Sequence, residues 1–527
     1  MIIVSNEKCK GCSLCVKNCP ITAIELVDKK AMVKDACVQC GICVRVCPFG
    51  ALSKTDEKAD TAVICSNCPV QCRVPLGSTG ACKRYTNLEG RLIRNRELET
   101  EPKPGAFPDE KITRPIITAV GGGSNYPCSL PAPHIVCESR DGVDVVTVVT
   151  EAPLSYSGVT VKLDTNTYIG EEGAKVYRNG KHVGMVNTEE YGSKMMTIGG
   201  ANRLTGDGGF ETARTIVELA NGQEVEVSVD KKYKIKMRAG QAPIINGVQE
   251  KKMRLGCGSA TVGLFAHMMK ECVDECIVVD HHVVGLFTEH LAGAAVGATW
   301  SGVIPNATKS SRGRYFGEHG DGIGGTTLKT CRDAIKSVDM SVAKPGMQIM
   351  VVNTTGEIYA LFEVLPDGDV KEIPMTEKAL SLAKAINDNC EESRCSVMYI
   401  GGTGGSARGG VCTKPLAITK AVHEGKAVLS IGGAPTYILP GGGINFIVDT
   451  EKMVSNPLCW VPTPATVAPV EYTMKLEDYK AIGGHLDRVK DAREVKPTSL
   501  GQTIREALVS EAEEVIPTFY HKPNQDK

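Results

Sequence analysis

Aromatic side chains are scarce in this chain: they make up 5% of its 527 residues, with only two tryptophans. Neither sign of charge is in surplus, since the formal net charge is -1. A basic face for nucleic acid or for an anionic membrane is therefore not expected. No apolar run approaches the ~18 residues that a spanning helix needs, so no membrane span is expected. Cys9 follows Met1 too closely for a secretory signal to precede it, which predicts a cytoplasmic protein.

What the chain has in quantity is cysteine, 22 residues, and glycine, 56. In a long chain without a leader, that cysteine content points to metal binding or catalysis rather than to disulfides. Twelve of the cysteines fall within the first 82 residues. Cys9-x2-Cys12-x2-Cys15-x3-Cys19-Pro20 recurs as Cys37-x2-Cys40-x2-Cys43-x3-Cys47-Pro48. Three thiolates in a tight loop cap one face of a cubane, and the fourth comes from the other half of the repeat. The spacing predicts two [4Fe-4S] clusters, one on Cys9, Cys12, Cys15 and Cys47, the other on Cys37, Cys40, Cys43 and Cys19. A zinc site would leave the duplicated spacing unexplained.

A further set follows: Cys65-x2-Cys68-Pro69-x2-Cys72-x9-Cys82. Four thiols could hold a third [4Fe-4S] cluster or a tetrahedral zinc. Adjacency to the duplicated motif favours iron–sulfur. Being nearest the body in sequence, this set is expected to be the last electron stop before the active site.

The expected fold class is mixed α+β. A two-cluster bacterial ferredoxin-like domain spans residues 1–55, and a third cysteine-rich segment spans 56–100. The polar, proline-containing stretch EPKPGAFPDEKITR gives a linker at 101–114. A Gly-rich catalytic body then has a β-rich part at 115–250 and a mixed α/β part at 251–495, before a polar tail at 496–527. His134–Thr150 is rich in β-branched residues, and Asn179-Gly180 between apolar runs marks a hairpin. Val225–Met237 alternates as one strand would. Ile277-Val278-Val279-Asp280 reads as a buried strand between helical stretches, and Cys272 and Cys276 as one helix face. Thr376 is expected to cap a helix to Asn389. Strand-like runs ending in Gly-Gly, at Ile198-Gly199-Gly200, Ile400-Gly401-Gly402, Ile431-Gly432-Gly433 and Val120-Gly121-Gly122, suggest internal repeats with ligand loops.

Two stretches carry candidate chemistry. His281–Thr327 holds His281, His282, His290 and His319 with Lys309, Arg312 and Arg314 among glycines. Arginine suits carboxylate recognition, and histidine suits proton transfer. The second stretch, around Gly401, Gly402, Gly404 and Gly405, ends at Arg408. Its backbone N–H groups would hold phosphate or carboxylate oxygens, with Arg408 closing the site. It lacks the ending of a phosphate-binding loop and the spacing of a dinucleotide fingerprint. Cys257, between two glycines, is a further candidate acid.

The two-cluster head, the Cys65–Cys82 motif, the run GGTGGSARGG and the stretch EYTMKLEDYKAIGGHLDRVK (471–490) together resemble the 6-hydroxynicotinate reductases of anaerobic nicotinate fermentation. The resemblance implies a ferredoxin-dependent enzyme that reduces one C=C bond of 6-hydroxynicotinate, giving 1,4,5,6-tetrahydro-6-oxonicotinate. It also implies a flavin, FAD or FMN; Gly297-Ala298-Thr299 has the ending of a covalent flavin site but lacks the preceding Asp. The partners would be reduced ferredoxin and a small heterocyclic carboxylate, and a homo-oligomer is expected. The substrate carboxylate needs a cation, for which Arg314 or Arg408 is the candidate, and His319 or His282 would protonate the ring. The alternatives are another iron–sulfur reductase or dehydrogenase of a small acid or cyclic amide, a hydrolase-like body with an attached ferredoxin, and a non-catalytic electron-transfer subunit. A pure carrier would not need so large a body.

Overall fold

A computed structural model describes residues 1–57, 60–65, 67–68, 70–107, 113–123, 131–188, 194–280 and 283–499. The fold mixes helices and sheets, and the duplication read in the first fifty residues is visible in the backbone. Short helices Leu14–Lys17 and Ile42–Arg45 follow equivalent cysteine loops. The loops share their conformation: Gly11 and Gln39 have φ of 67° and 54°, and Ser13 and Gly41 have φ of 60° and 79°. Each loop thus takes left-handed turns at the same two places, bending the backbone so that its thiols face inward. Ile2–Val4 pairs with Leu52–Lys54, and Ile24–Val27 with Lys30–Val33. Two hairpins follow, Val63–Ile64 with Arg73–Val74 and Tyr85–Leu88 with Arg91–Arg94.

The body's two parts do not follow one another along the chain. Its eleven-stranded sheet joins Gly158–Leu163 to Cys395–Thr403, and its seven-stranded sheet joins Val143–Leu154 to Ala465–Lys475. Strands from both sequence halves share one large apolar core. Between them, a lobe with its own seven-stranded sheet and two cores is inserted. The chain enters this lobe through Lys252–Met253 and leaves through Glu391–Glu392, which pair with each other. The second part therefore interrupts the first instead of following it. Two-residue strands leave no periodicity, so the neck has no sequence signal.

Several local expectations hold. Asn179 and Gly180 both have positive φ, 48° and 77°, in the hairpin between Lys175–Arg178 and Lys181–Thr188. Thr376 caps the helix Glu377–Asp388, its hydroxyl accepting from Ala379 N at 3.2 Å. Others change. Val225–Met237 is a hairpin, Val225–Val229 with Tyr233–Met237, because Asp230 and Lys231 turn the chain with φ of 46° and 60°. Cys276 lies in the buried strand Glu275–Val279, not on a helix with Cys272. After that strand comes another, Val284–Leu286, where a helix was expected. The stretch 471–490 begins inside the body's core: Ala465–Lys475 is a central strand, buried along all but its last residue. Most of the expected polar tail, from residue 500, lies outside the described residues.

The four Gly-Gly units are not alike. Gly401 and Gly402 sit within a strand, opposite Phe446 and Asn445. Gly199 and Gly200 turn the chain at the end of Lys194–Gly199, with φ of 114° and 86°. The other two are tied to buried carboxylates. Gly121 N and Gly123 N donate to Glu151 at 3.1 and 3.2 Å, while Gly433 N donates to Glu471. Among the described residues no helix is long and apolar enough to cross a membrane.

Candidate functional site

The duplicated loops bring their thiols together as the spacing implies. Cys9, Cys12, Cys15 and Cys47 line one small cavity, walled by Leu14, Leu26, Phe49 and Leu52. Backbone N–H groups of Ala31, Ala51 and Ala23 donate to the sulfurs of Cys9, Cys47 and Cys19 at 3.4, 3.3 and 3.2 Å. Such bonds stabilise thiolate charge, so the donor set fits an iron–sulfur cluster. Cys19, Cys37, Cys40 and Cys43 gather in the other half. There burial first, with neighbouring Cys19 and Cys37, pushes the Cys40 thiol up to about 11 and the Cys43 thiol up to about 12. These thiols ionise when metal takes the place of the proton.

The Cys65–Cys82 segment forms a second apolar cavity, lined by Cys65, Cys68, Cys72 and Cys82 with Val70, Val461 and Val467. A fifth thiol, Cys459, joins them from the strand Cys459–Val461. No motif around Cys459 announces it; it meets the others only because its strand packs beneath the segment. Cys40 packs against the same apolar cluster as Cys65, Cys68, Cys72 and Cys82, so the second and third cysteine sets adjoin.

A cavity of about 650 Å³ opens where the head, the third segment and the body meet. Cys19, Cys82 and Cys459 all line it. So do six cations, Lys17, Lys83, Arg84, Arg94, Arg96 and Arg214, against a single carboxylate, Glu218. Glu218 is already paired with Arg178 at 2.5 Å. The cavity therefore favours an anion. Its size is that of a small-molecule site. Tyr85 and Trp460 add aromatic surface.

The arginines are held in place from behind. Arg94 Nη1 donates to Gly121 O at 2.9 Å and lies 3.3 Å from His134 Nε2. Arginine can only donate, so this His134 nitrogen is the acceptor. Burial, then the Arg94 charge, hold the His134 imidazole well below its usual range, and it stays neutral. The buried Arg94 Nε–H has no partner among the described residues. Arg96 donates to Glu99 at 2.9 Å and to the carbonyls of Ser455 and Asn456. Arg84 pairs with Glu151, which the Gly121 and Gly123 amides orient. Arg214 donates to Lys17 O at 3.2 Å and Arg45 to Pro462 O at 2.7 Å, tying head to body.

The residues picked out in the body do not converge. Arg314 belongs to the inserted lobe and donates to Ser259 Oγ at 3.1 Å; that hydroxyl also bonds His290 Nε2 at 2.8 Å. His319 lies against Tyr168, ring centroids 5.5 Å apart. His282, like His281, lies outside the described residues. Arg408 bonds Thr419 Oγ1 and Gly404 O within its own neighbourhood. Gly401 and Gly402 are strand residues with their backbones in the sheet, so this stretch is not a phosphate-type loop; Gly404 and Gly405 only begin the short helix Gly405–Val411. The glycines have a packing reason: a Cβ on Gly401 would lie 3.0 Å from Leu154 and Phe446. None of these residues lines the cationic cavity. Sequence reasoning missed Arg84, Arg94 and Arg96, whose only signal was their closeness to Cys82.

Residues 8–51 match the model of the 4Fe-4S dicluster domain family, so the head is a ferredoxin-like iron–sulfur domain. No solved structure matches the chain. A protein of Eubacterium barkeri named 6-hydroxynicotinate reductase is 67% identical over 499 residues, covering 94% of this chain and 100% of that protein. With an iron–sulfur head, an anion-seeking cavity beside two cysteine sets, and this identity along nearly its whole length, the chain belongs to the 6-hydroxynicotinate reductase family.

Proposed function

We propose that the chain takes electrons from reduced ferredoxin at its head and uses them to reduce 6-hydroxynicotinate to 1,4,5,6-tetrahydro-6-oxonicotinate in the cationic cavity. The observation that carries this is that one cavity is lined both by six cations and by thiols of two cysteine sets. The Cys65–Cys82 set is read as a third [4Fe-4S] site. Its four thiols line one apolar cavity and pack against the same apolar cluster as Cys40 of the head, where an iron–sulfur cluster would pass electrons on. When bound, the clusters supply single electrons at low potential.

The protein's own residues bind and orient. Arg94 and Arg96 hold the substrate carboxylate, their guanidiniums aimed by His134, Gly121, Glu99 and Asn456. Tyr85 and Trp460 supply aromatic wall beside the ring. Arginine keeps its proton, so proton delivery to the ring falls to a lysine, and Lys83 beside Cys82 is the assigned donor. Lys17 and Arg214 would suit the phosphate of an FMN or FAD held in this cavity. A flavin there would pair two single electrons. The enzyme is read as cytoplasmic and homo-oligomeric.

The test is anaerobic oxidation of reduced ferredoxin on adding 6-hydroxynicotinate, followed in Arg94→Ala, Arg96→Ala, Arg314→Ala and Arg408→Ala. The first two should raise KM at least tenfold, and the last two should not. Ferredoxin that stays reduced in the wild type, or a KM that moves only with Arg314 and Arg408, would refute the assignment. Iron near twelve per chain supports three cubanes; about eight supports two.

A further inference from the structure

A cubane takes four thiolates, yet the cavity under the third segment offers five cysteines. Cys65, Cys68 and Cys72 come from one tight loop, and Cys82 comes from the turn before Tyr85–Leu88. Cys459 comes from the opposite wall, on a strand paired with Ala465–Lys475 in the core sheet. Cys82 and Cys459 differ from the other three in one respect: they line both this cavity and the larger cationic one. Both also pack, with Cys68, against one apolar cluster. Two thiols thus stand in the wall between a cluster site and a substrate site where one would close the coordination.

We propose that Cys82 and Cys459 are interchangeable fourth ligands of the third cluster, one bound to iron while the other faces the cationic cavity. This rests on the third-cluster reading above. The two positions are built for the exchange. Cys82 follows Gly77-Ser78-Thr79-Gly80, whose backbone is held by Gly77 N on Asn87 O at 2.7 Å and Gly80 N on Tyr85 O at 2.8 Å, so its thiol is presented to both cavities from a fixed wall. Cys459 sits on a fixed strand, and when it is off iron Arg84 receives it: the guanidinium bonds the Cys459 sulfur and pairs with Glu151. The step is a ligand substitution. One Fe–S(Cys) bond forms as the other breaks, a proton passes from the incoming thiol to the outgoing thiolate, and no electron is gained or lost.

Cys82→Ser, Cys459→Ser and the double variant are purified anaerobically, and iron and the electron paramagnetic spectrum are measured. Each single variant should keep about twelve irons with a shifted third signal, and the double variant should keep about eight, the head's two cubanes reporting a folded head. Cys82→Ser at about eight irons overturns the proposal, as does a double variant at about twelve. A wild type at about eight fails the third-cluster reading itself, before any variant is made. A second arm needs no variant: iodoacetamide is added to wild-type holoenzyme and the labelled peptides are mapped. Label on both Cys82 and Cys459 is expected; label confined to one, or on neither, overturns the exchange.

Discussion

His134 Nε2 accepts from Arg94 Nη1 at 3.3 Å, so a buried neutral imidazole aims a guanidinium into the cationic cavity. His134→Leu removes the acceptor but leaves the cation. We expect KM for the substrate to rise severalfold with kcat little changed, because binding is lost and chemistry is not. His134→Gln, which keeps an acceptor, should restore part of the loss. A kcat effect with KM intact would contradict the positioning role.

The same histidine makes stability depend on acid. Its folded pKa is depressed below the ordinary ~6.5, so below that pH the unfolded chain binds a proton that the folded chain refuses. Stability from this group is present above about pH 6.5 and lost as pH falls below it. Thermal melts of the wild type should drop more steeply between about pH 6.5 and 5 than melts of His134→Gln. Superimposable curves would show that His134 is not the group involved.

Glu471 gives the opposite slope. Burial outweighs the donors Ser430 Oγ, Ala119 N and Gly433 N and raises its carboxyl to about 8. Its folded pKa is therefore above its unfolded value. The protonated form is favoured in the fold, and stability is lost as pH rises from about 4.5 through about 8. Glu471→Gln, a neutral mimic, should melt higher than wild type at pH 8.5 and nearly alongside it at pH 5. An equal offset at both values would argue against a protonated Glu471.

Gly401→Ala separates packing from ligand binding. Its new methyl would meet Leu154 and Phe446 at 3.0 Å. Overpacking of this kind costs about 1–3 kcal/mol, which should appear as a lower Tm with substrate KM unchanged. An unchanged Tm with a raised KM would return Gly401 to the binding site.

The cysteine sets of the head were legible because their chemistry is local: a cubane face needs three thiols within one turn of chain, and the duplication repeats that need. The hairpin at Asn179-Gly180 and the cap at Thr376 were legible for the same reason. Cys459 and the Arg94–His134 pair were not, since each joins segments far apart in sequence whose meeting depends on sheet topology. Gly401 and Arg408 misled because a glycine-rich run looks the same whether it approaches a ligand or lets side chains such as Phe446 pack close. The charged run 281–327 drew attention by its histidines and arginines, but Arg314 and His290 meet at Ser259, inside a lobe whose two-residue neck leaves no trace in sequence.

The seating of the head on the body by Arg45 on Pro462 and Arg214 on Lys17 has a consequence for any separated fragment. The walls of the cationic cavity come from residues 16–22, 81–96, 121, 214–223 and 456–460, so head and body each own only part of it. A body expressed without its first fifty-five residues would lack the Lys17 and Cys19 side of that wall. The head is thus masonry as well as wiring.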